Sequence, residues 1–76
     1  MIIFNNLKSE LHAPKHKCDY YTFKGFDFKI YHFKTMLNNY IACEIMRDNK
    51  LIHYTEQTTF RALKKNIIEY FEECII

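Results

Sequence analysis

Glycine and proline occur once each, at Gly25 and Pro14, and tryptophan is absent. A chain with one glycine has no glycine-rich loop to cradle a phosphate, and no flexible Gly/Ser linker to divide it. Charge is nearly balanced, with 11 Lys and Arg against 9 Asp and Glu for a net +2. That balance neither demands nucleic acid nor imitates its backbone. Three cysteines, Cys18, Cys43 and Cys74, are an odd number without framework spacing. They argue against a disulfide scaffold and for a reduced, cytoplasmic setting. The opening "MIIFNNLKSE" has neither a basic n-region nor an apolar h-region of leader length. No apolar run approaches the ~20 residues of a membrane-spanning helix.

Complete catalytic constellations are missing too. No nucleophile sits in a recognisable motif and no carboxylates are paired. The best acid–base couple is His53 facing Glu44 across a hairpin, a pairing more typical of a sheet surface than of a dyad. The chain therefore reads as a non-enzyme without a cofactor. "HAPKHKCD" does gather His12, His16, Cys18 and Asp19. A structural zinc needs four ligands, usually in paired motifs, and a fourth here would come from Cys43 or Cys74, both assigned to apolar faces. No metal is expected.

What remains is an apolar, aromatic chain: 76 residues, 49% hydrophobic and 17% aromatic. That composition excludes disorder and fits a single domain over 1–76. A chain this short buries only about 60–65% of its unfolded surface, so self-association as a homodimer is one way to gain stability.

The elements follow from periodicity. In the N-terminal segment, 1–17, Phe4, Leu7 and Leu11 have helical spacing before Pro14, while Ile2, Ile3 and Phe4 also suit a short edge strand. From Phe26 the alternation is strict, with Phe26, Phe28 and Ile30 on one face and Asp27, Lys29, Tyr31 and Phe33 on the other. Tyr21 and Phe23 lie upstream in the opposite phase, so a bulge or sharp bend is expected at Gly25. "TMLN" closes one hairpin, and Asp48 and Asn49 close a second between "NYIACEIMR" and "KLIHYTE". An unbroken register from that turn sets Arg47 opposite Lys50, Ile45 opposite Ile52, Glu44 opposite His53 and Cys43 opposite Tyr54. Ile41, Cys43, Ile45, Ile52 and Tyr54 then point inward. Thr58 or Thr59 caps a C-terminal helix over 58–75 with Phe60, Leu63, Ile67, Phe71 and Cys74 along one stripe. The expectation is an α+β fold: a three-stranded antiparallel sheet within 20–57, the C-terminal helix on one face, and a short N-terminal helix as a further option.

The same register leaves Tyr31, Phe33, Tyr40, Met46, Leu51 and His53 on the outer face. An apolar patch on what should be a wetted face marks an interface. Three covers suit it: the N-terminal segment, a second copy, or a foreign protein. The helix also carries Arg61, Lys64 and Lys65 in its first turns and Glu69, Glu72 and Glu73 in its last, against the macrodipole. Those cations are candidates for an anion or nucleic-acid backbone.

The segment "YIACEIMRDNKLIHYTEQTTFRALKKNIIEYFEE" resembles the strand, hairpin and helix core of HicB-type antitoxins, through Thr58, Ala62 and Leu63. The family's Pro-Gly-Cys segment and acidic helix start have no counterpart here. Helix, three strands and helix is also the order of double-stranded RNA-binding domains, which Arg61, Lys64 and Lys65 resemble in placement at the second helix start. In type, short and rich in Ile, Lys, Asn, Phe and Tyr, the chain is similar to small phage proteins that block bacterial defence, anti-CRISPR proteins among them. That likeness implies a non-enzymatic inhibitor in the host cytoplasm. It would occupy a CRISPR-Cas nuclease complex by protein contact, with a guide RNA backbone as a second contact.

Overall fold

The structure, a computed structural model, describes Leu11 and residues 16–75. The expected N-terminal helix or edge strand, with Ile2, Ile3 and Phe4, and the ligand candidate His12 lie outside the described residues. Four strands form one antiparallel sheet: β1 (Cys18–Phe23), β2 (Phe26–Lys34), β3 (Asn39–Arg47) and β4 (Lys50–Gln57), in the order β1-β2-β3-β4. A helix, α1 (Phe60–Tyr70), follows and widens into a π-helical turn, Phe71–Ile75.

The expected count of three strands is corrected to four, and the reason lies at Gly25. The chain does not bend there but reverses. Lys24 (φ 52°) and Gly25 (φ 84°) are two successive left-handed residues, the backbone of a tight two-residue hairpin. Phe23 therefore faces Phe26 and Tyr21 faces Phe28, so the break in phase is that of a turn. An added Cβ at Gly25 would meet nothing within 4 Å. Gly25→Ala should thus cost only backbone strain, about 1–2 kcal/mol, read as a lower urea midpoint. Gly25→Asn should lose less, since Asn tolerates this region; equal losses would place the cost elsewhere.

The other two turns form as the residues suggest. Thr35 donates its backbone N–H to the Asn38 carbonyl at 2.8 Å, and the Asn38 N–H donates to Thr35 Oγ1 at 2.9 Å, which closes β2 on β3. Asp48 (φ 53°) and Asn49 (φ 62°) close β3 on β4.

Beyond the second of these turns the register departs from expectation. Arg47 faces Lys50 and Met46 faces Leu51, but Ile45 faces His53, Glu44 faces Tyr54 and Cys43 faces Thr55. One extra residue, Ile52, sits in a β-bulge. Every side chain of β4 beyond it changes face. Tyr54, expected inside, is exposed; His53 and Thr55 take the helix side in its place. Ile52 stays half-buried against the core.

α1 is capped by Thr59, whose Oγ1 accepts from the Ala62 N–H at 3.2 Å. Its buried face is Leu63, Ile67 and Ile68, continued by Phe71. These pack on Phe23, Phe26, Phe28, Ile30, Ile41, Cys43 and Ile45 from the sheet, and Leu11 joins the same core. Cys74, expected on the stripe, is exposed. A π-turn rotates less per residue than an α-turn, so the third residue after Phe71 no longer returns to the sheet. No helix among the described residues is long and apolar enough to cross a membrane.

Candidate binding face

The helix covers one face of the sheet, and the register assigns the other in cross-strand rows. Thr22, Asp27, Met46 and Leu51 form the row nearest the Lys24–Gly25 and Asp48–Asn49 turns. Tyr20, Lys29, Glu44 and Tyr54 form the next, then Cys18, Tyr31, Ala42 and Glu56. Phe33 and Tyr40 form the last, beside the Thr35–Asn38 turn. Of the six residues expected on this face, Tyr31, Phe33, Tyr40, Met46 and Leu51 lie on it.

The rings are joined to one another. Tyr31 meets Phe33 edge-on with centroids 4.9 Å apart, and Phe33 meets Tyr40 at 5.1 Å. The Lys29 ammonium lies 4.8 Å from the Tyr31 ring centroid. Ala42 is fully buried although it belongs to the outer rows, a small residue beneath larger neighbours. Tyr20 (73% exposed), Phe33, Leu51 and Tyr54 keep much of their surface in solvent.

Polar atoms hold these rings in place. The Tyr31 hydroxyl donates to Glu44 Oε2 at 3.0 Å, and Lys29 Nζ stands 3.9 Å from the same oxygen. The Tyr54 hydroxyl donates to Glu56 Oε2 at 2.8 Å. Burial first, then the bond to Glu44, pushes the Tyr31 phenol well above the usual tyrosine range. The bond to Glu56 raises Tyr54 in the same direction. Both hydroxyls are donors at neutral pH, as tyrosine hydroxyls ordinarily are, and each is tied to a carboxylate.

His53 is the correction. The bulge turns it to the helix side, where its ring stacks on Tyr70 at 4.0 Å and its Nε2 lies 3.1 Å from Asn66 Oδ1. The Tyr70 hydroxyl donates to the Ile52 carbonyl at 3.3 Å, tying the helix to the bulge. The expected Glu44–His53 couple is thus not formed. Sequence reasoning missed Tyr20 and Tyr54 on the outer face, because one belongs to the unforeseen strand and the other lies beyond the bulge. It also missed Met36 and Leu37, 103% and 91% exposed at the tip of the β2–β3 hairpin. They extend the Phe33–Tyr40 end of the face as an apolar projection.

At the helix start, Arg61 and Lys65 are exposed and Lys64 is half-buried. They share a shallow hollow with Ile68, Glu69 and Glu72, and Lys65 pairs with Glu69 at 4.0 Å. Cations and carboxylates are mixed there, so the local field is weak. His16 Nδ1 and Asp19 Oδ1 are 3.1 Å apart. Among the described residues no three His, Cys, Asp or Glu side chains gather.

The Cys43 thiol sits in the core, where burial, and then the Glu44 carboxylate, push it up to about 12. Alkylation at about pH 8 should therefore leave Cys43 untouched until the protein is unfolded, while Cys74, which is exposed, is within reach of the reagent. Mass spectrometry of the digested adducts checks this, and early labelling of Cys43 would contradict its placement.

Comparison with protein-family models, curated proteins and solved structures finds no match to this chain.

Proposed function

We propose that this chain is a non-enzymatic binding protein that docks on a protein partner through its open sheet face, and that the partner is an effector of bacterial defence, a CRISPR-Cas nuclease complex. The observation that carries the docking is the contiguous Tyr31, Phe33 and Tyr40 cluster on a face without a covering layer among the described residues, prolonged by Met36 and Leu37. Monomers seldom leave such a patch uncovered, and aromatic anchors fixed in one orientation lose little entropy on docking. The assignment to defence rests on the likeness in type to small phage inhibitors, which act by occupying a surface. Inhibition is then steric and requires no reacting group.

Capture from host lysate, followed by mass spectrometry and a plaque assay on a CRISPR-protected host, tests the proposal. A nuclease subunit in the captured fraction and rescue of phage plating are expected. A co-encoded small toxin in its place would mean an antitoxin instead, and failure to protect phage from any defence of its host would defeat the assignment.

A further inference from the structure

The outer face is not uniform in charge. Over β3 and β4 it carries Glu44 and Glu56. At the sheet edge where β1 begins and β2 runs on past it lies a groove of about 730 Å³, to which the outer face gives Tyr20, Lys29, Tyr31 and Phe33, while His32 and Lys34 reach it from the opposite side of β2 and Lys17 from the residue before β1. Three lysines and a histidine line it, with no carboxylate among them. Lys29 is shared with Glu44, but among the described residues Lys17 and Lys34 are in no ion pair. The helix-start hollow, by contrast, mixes its cations with Glu69 and Glu72.

Rings stand inside this basic lining. Tyr20 projects from β1 and Phe33 from β2, and Phe33 lies four residues along the strand from Lys29, the partner of Tyr20. At about 3.4 Å per residue the two rings are separated by roughly 14 Å along the sheet. That span suits the two or three bases that a sheet platform stacks. Tyr31, between them, has Lys29 against its ring and Phe33 at its edge, and so serves as the floor.

We propose that this groove binds single-stranded nucleic acid, with Lys17 and Lys34 on the phosphates and the exposed Tyr20 and Phe33 rings stacked on bases. Stacking on aromatic faces within a cationic groove is the general means of holding an unpaired strand without reading its sequence. A duplex, whose bases are already stacked, has nothing to offer Tyr20. The inference does not rest on the protein-docking proposal: the two share Tyr31 and Phe33, but Lys17 and Tyr20, at the start of β1, belong to the groove alone.

Fluorescence anisotropy with an oligouridylate of about twelve nucleotides, and with an RNA duplex of similar length, tests it on the whole chain. The single strand is expected to bind more tightly than the duplex. Tyr20→Ala should weaken single-strand binding by about 5- to 150-fold. The pair Lys17→Glu with Lys34→Glu should flatten the slope of log affinity against log salt by about 1.4, two phosphates' worth. These side chains are exposed, and an unchanged circular dichroism melt confirms that each variant is folded. Absence of single-strand binding by the wild-type protein at low salt overturns the proposal. So does binding unmoved by the Tyr20 and lysine variants, or binding that prefers duplex and is lost on Arg61→Glu with Lys65→Glu. If the oligonucleotide fails while a protein is still captured from lysate, the groove assignment falls and the docking proposal stands.

Discussion

Phe71→Ala is expected to destabilise this protein by about 3–5 kcal/mol, the range for removing a fully buried phenyl ring from a core. Phe71 has no exposed surface. It meets Phe26 edge-on at 5.0 Å and Tyr70 at 5.7 Å, and stacks near Phe28 at 6.0 Å, so one ring joins the helix end to the start of β2. Domains in general are stable by only about 5–15 kcal/mol, and a chain of this length belongs at the low end. The variant should therefore be partly unfolded at room temperature without denaturant. Phe71→Leu, which keeps most of the volume, should cost under about 1.5 kcal/mol. Urea unfolding followed by circular dichroism separates the two, and a Phe71→Ala midpoint close to wild type would refute this core.

The second large effect is on binding rather than stability. Replacing Phe33 and Tyr54 together by alanine removes two exposed rings from the open face. Hot-spot aromatic residues cost at least about 2 kcal/mol each when truncated, so with both rings removed affinity for the captured partner should fall by roughly a thousandfold. The urea midpoint should fall only modestly, by the loss of the Phe33 contacts with Tyr31 and Tyr40 and of the Tyr54 bond to Glu56, because neither ring belongs to the buried core. Calorimetric titration against the captured partner gives the comparison. Affinity within about twofold of wild type, in a folded variant, would remove this face as the docking surface.

Most of the architecture could be read from alternation and turn chemistry. The inward set Phe26, Phe28, Ile30, Ile41, Cys43 and Ile45 and the Asp48–Asn49 turn follow from local rules and are found, and of the two caps that the sequence offers, Thr58 and Thr59, the helix uses Thr59. Three features escaped, each because a local signal has two physical outcomes. A glycine between two aromatic runs of opposite phase suits a bulge or a reversal, and only pairing with β2 decides between them. In β4, "LIHYTE" alternates acceptably in either phase, so nothing local marks Ile52 as the extra residue. The bulge is favoured by what it permits across the sheet: His53 reaches Asn66 and Tyr70 on the helix, and Tyr54 reaches Glu56. Cys74 was misplaced because a helical stripe extrapolates at a constant pitch and the pitch changes at Phe71. The candidate face was less legible than the fold, since a single unseen bulge exchanges a histidine for a tyrosine upon it.

Every described strand pairs with the one next to it in sequence, across turns of two, four and two residues. Sheet formation therefore closes only short loops, and the entropy of bringing distant segments together, which slows most β-rich chains, is largely avoided. Hairpins of this kind close in about 1–10 μs, and the helix is the last described element to leave the ribosome and the one that buries their common face. The ring-bearing outer surface is assembled from those hairpins. Readiness soon after synthesis, more than great stability, is what this topology confers.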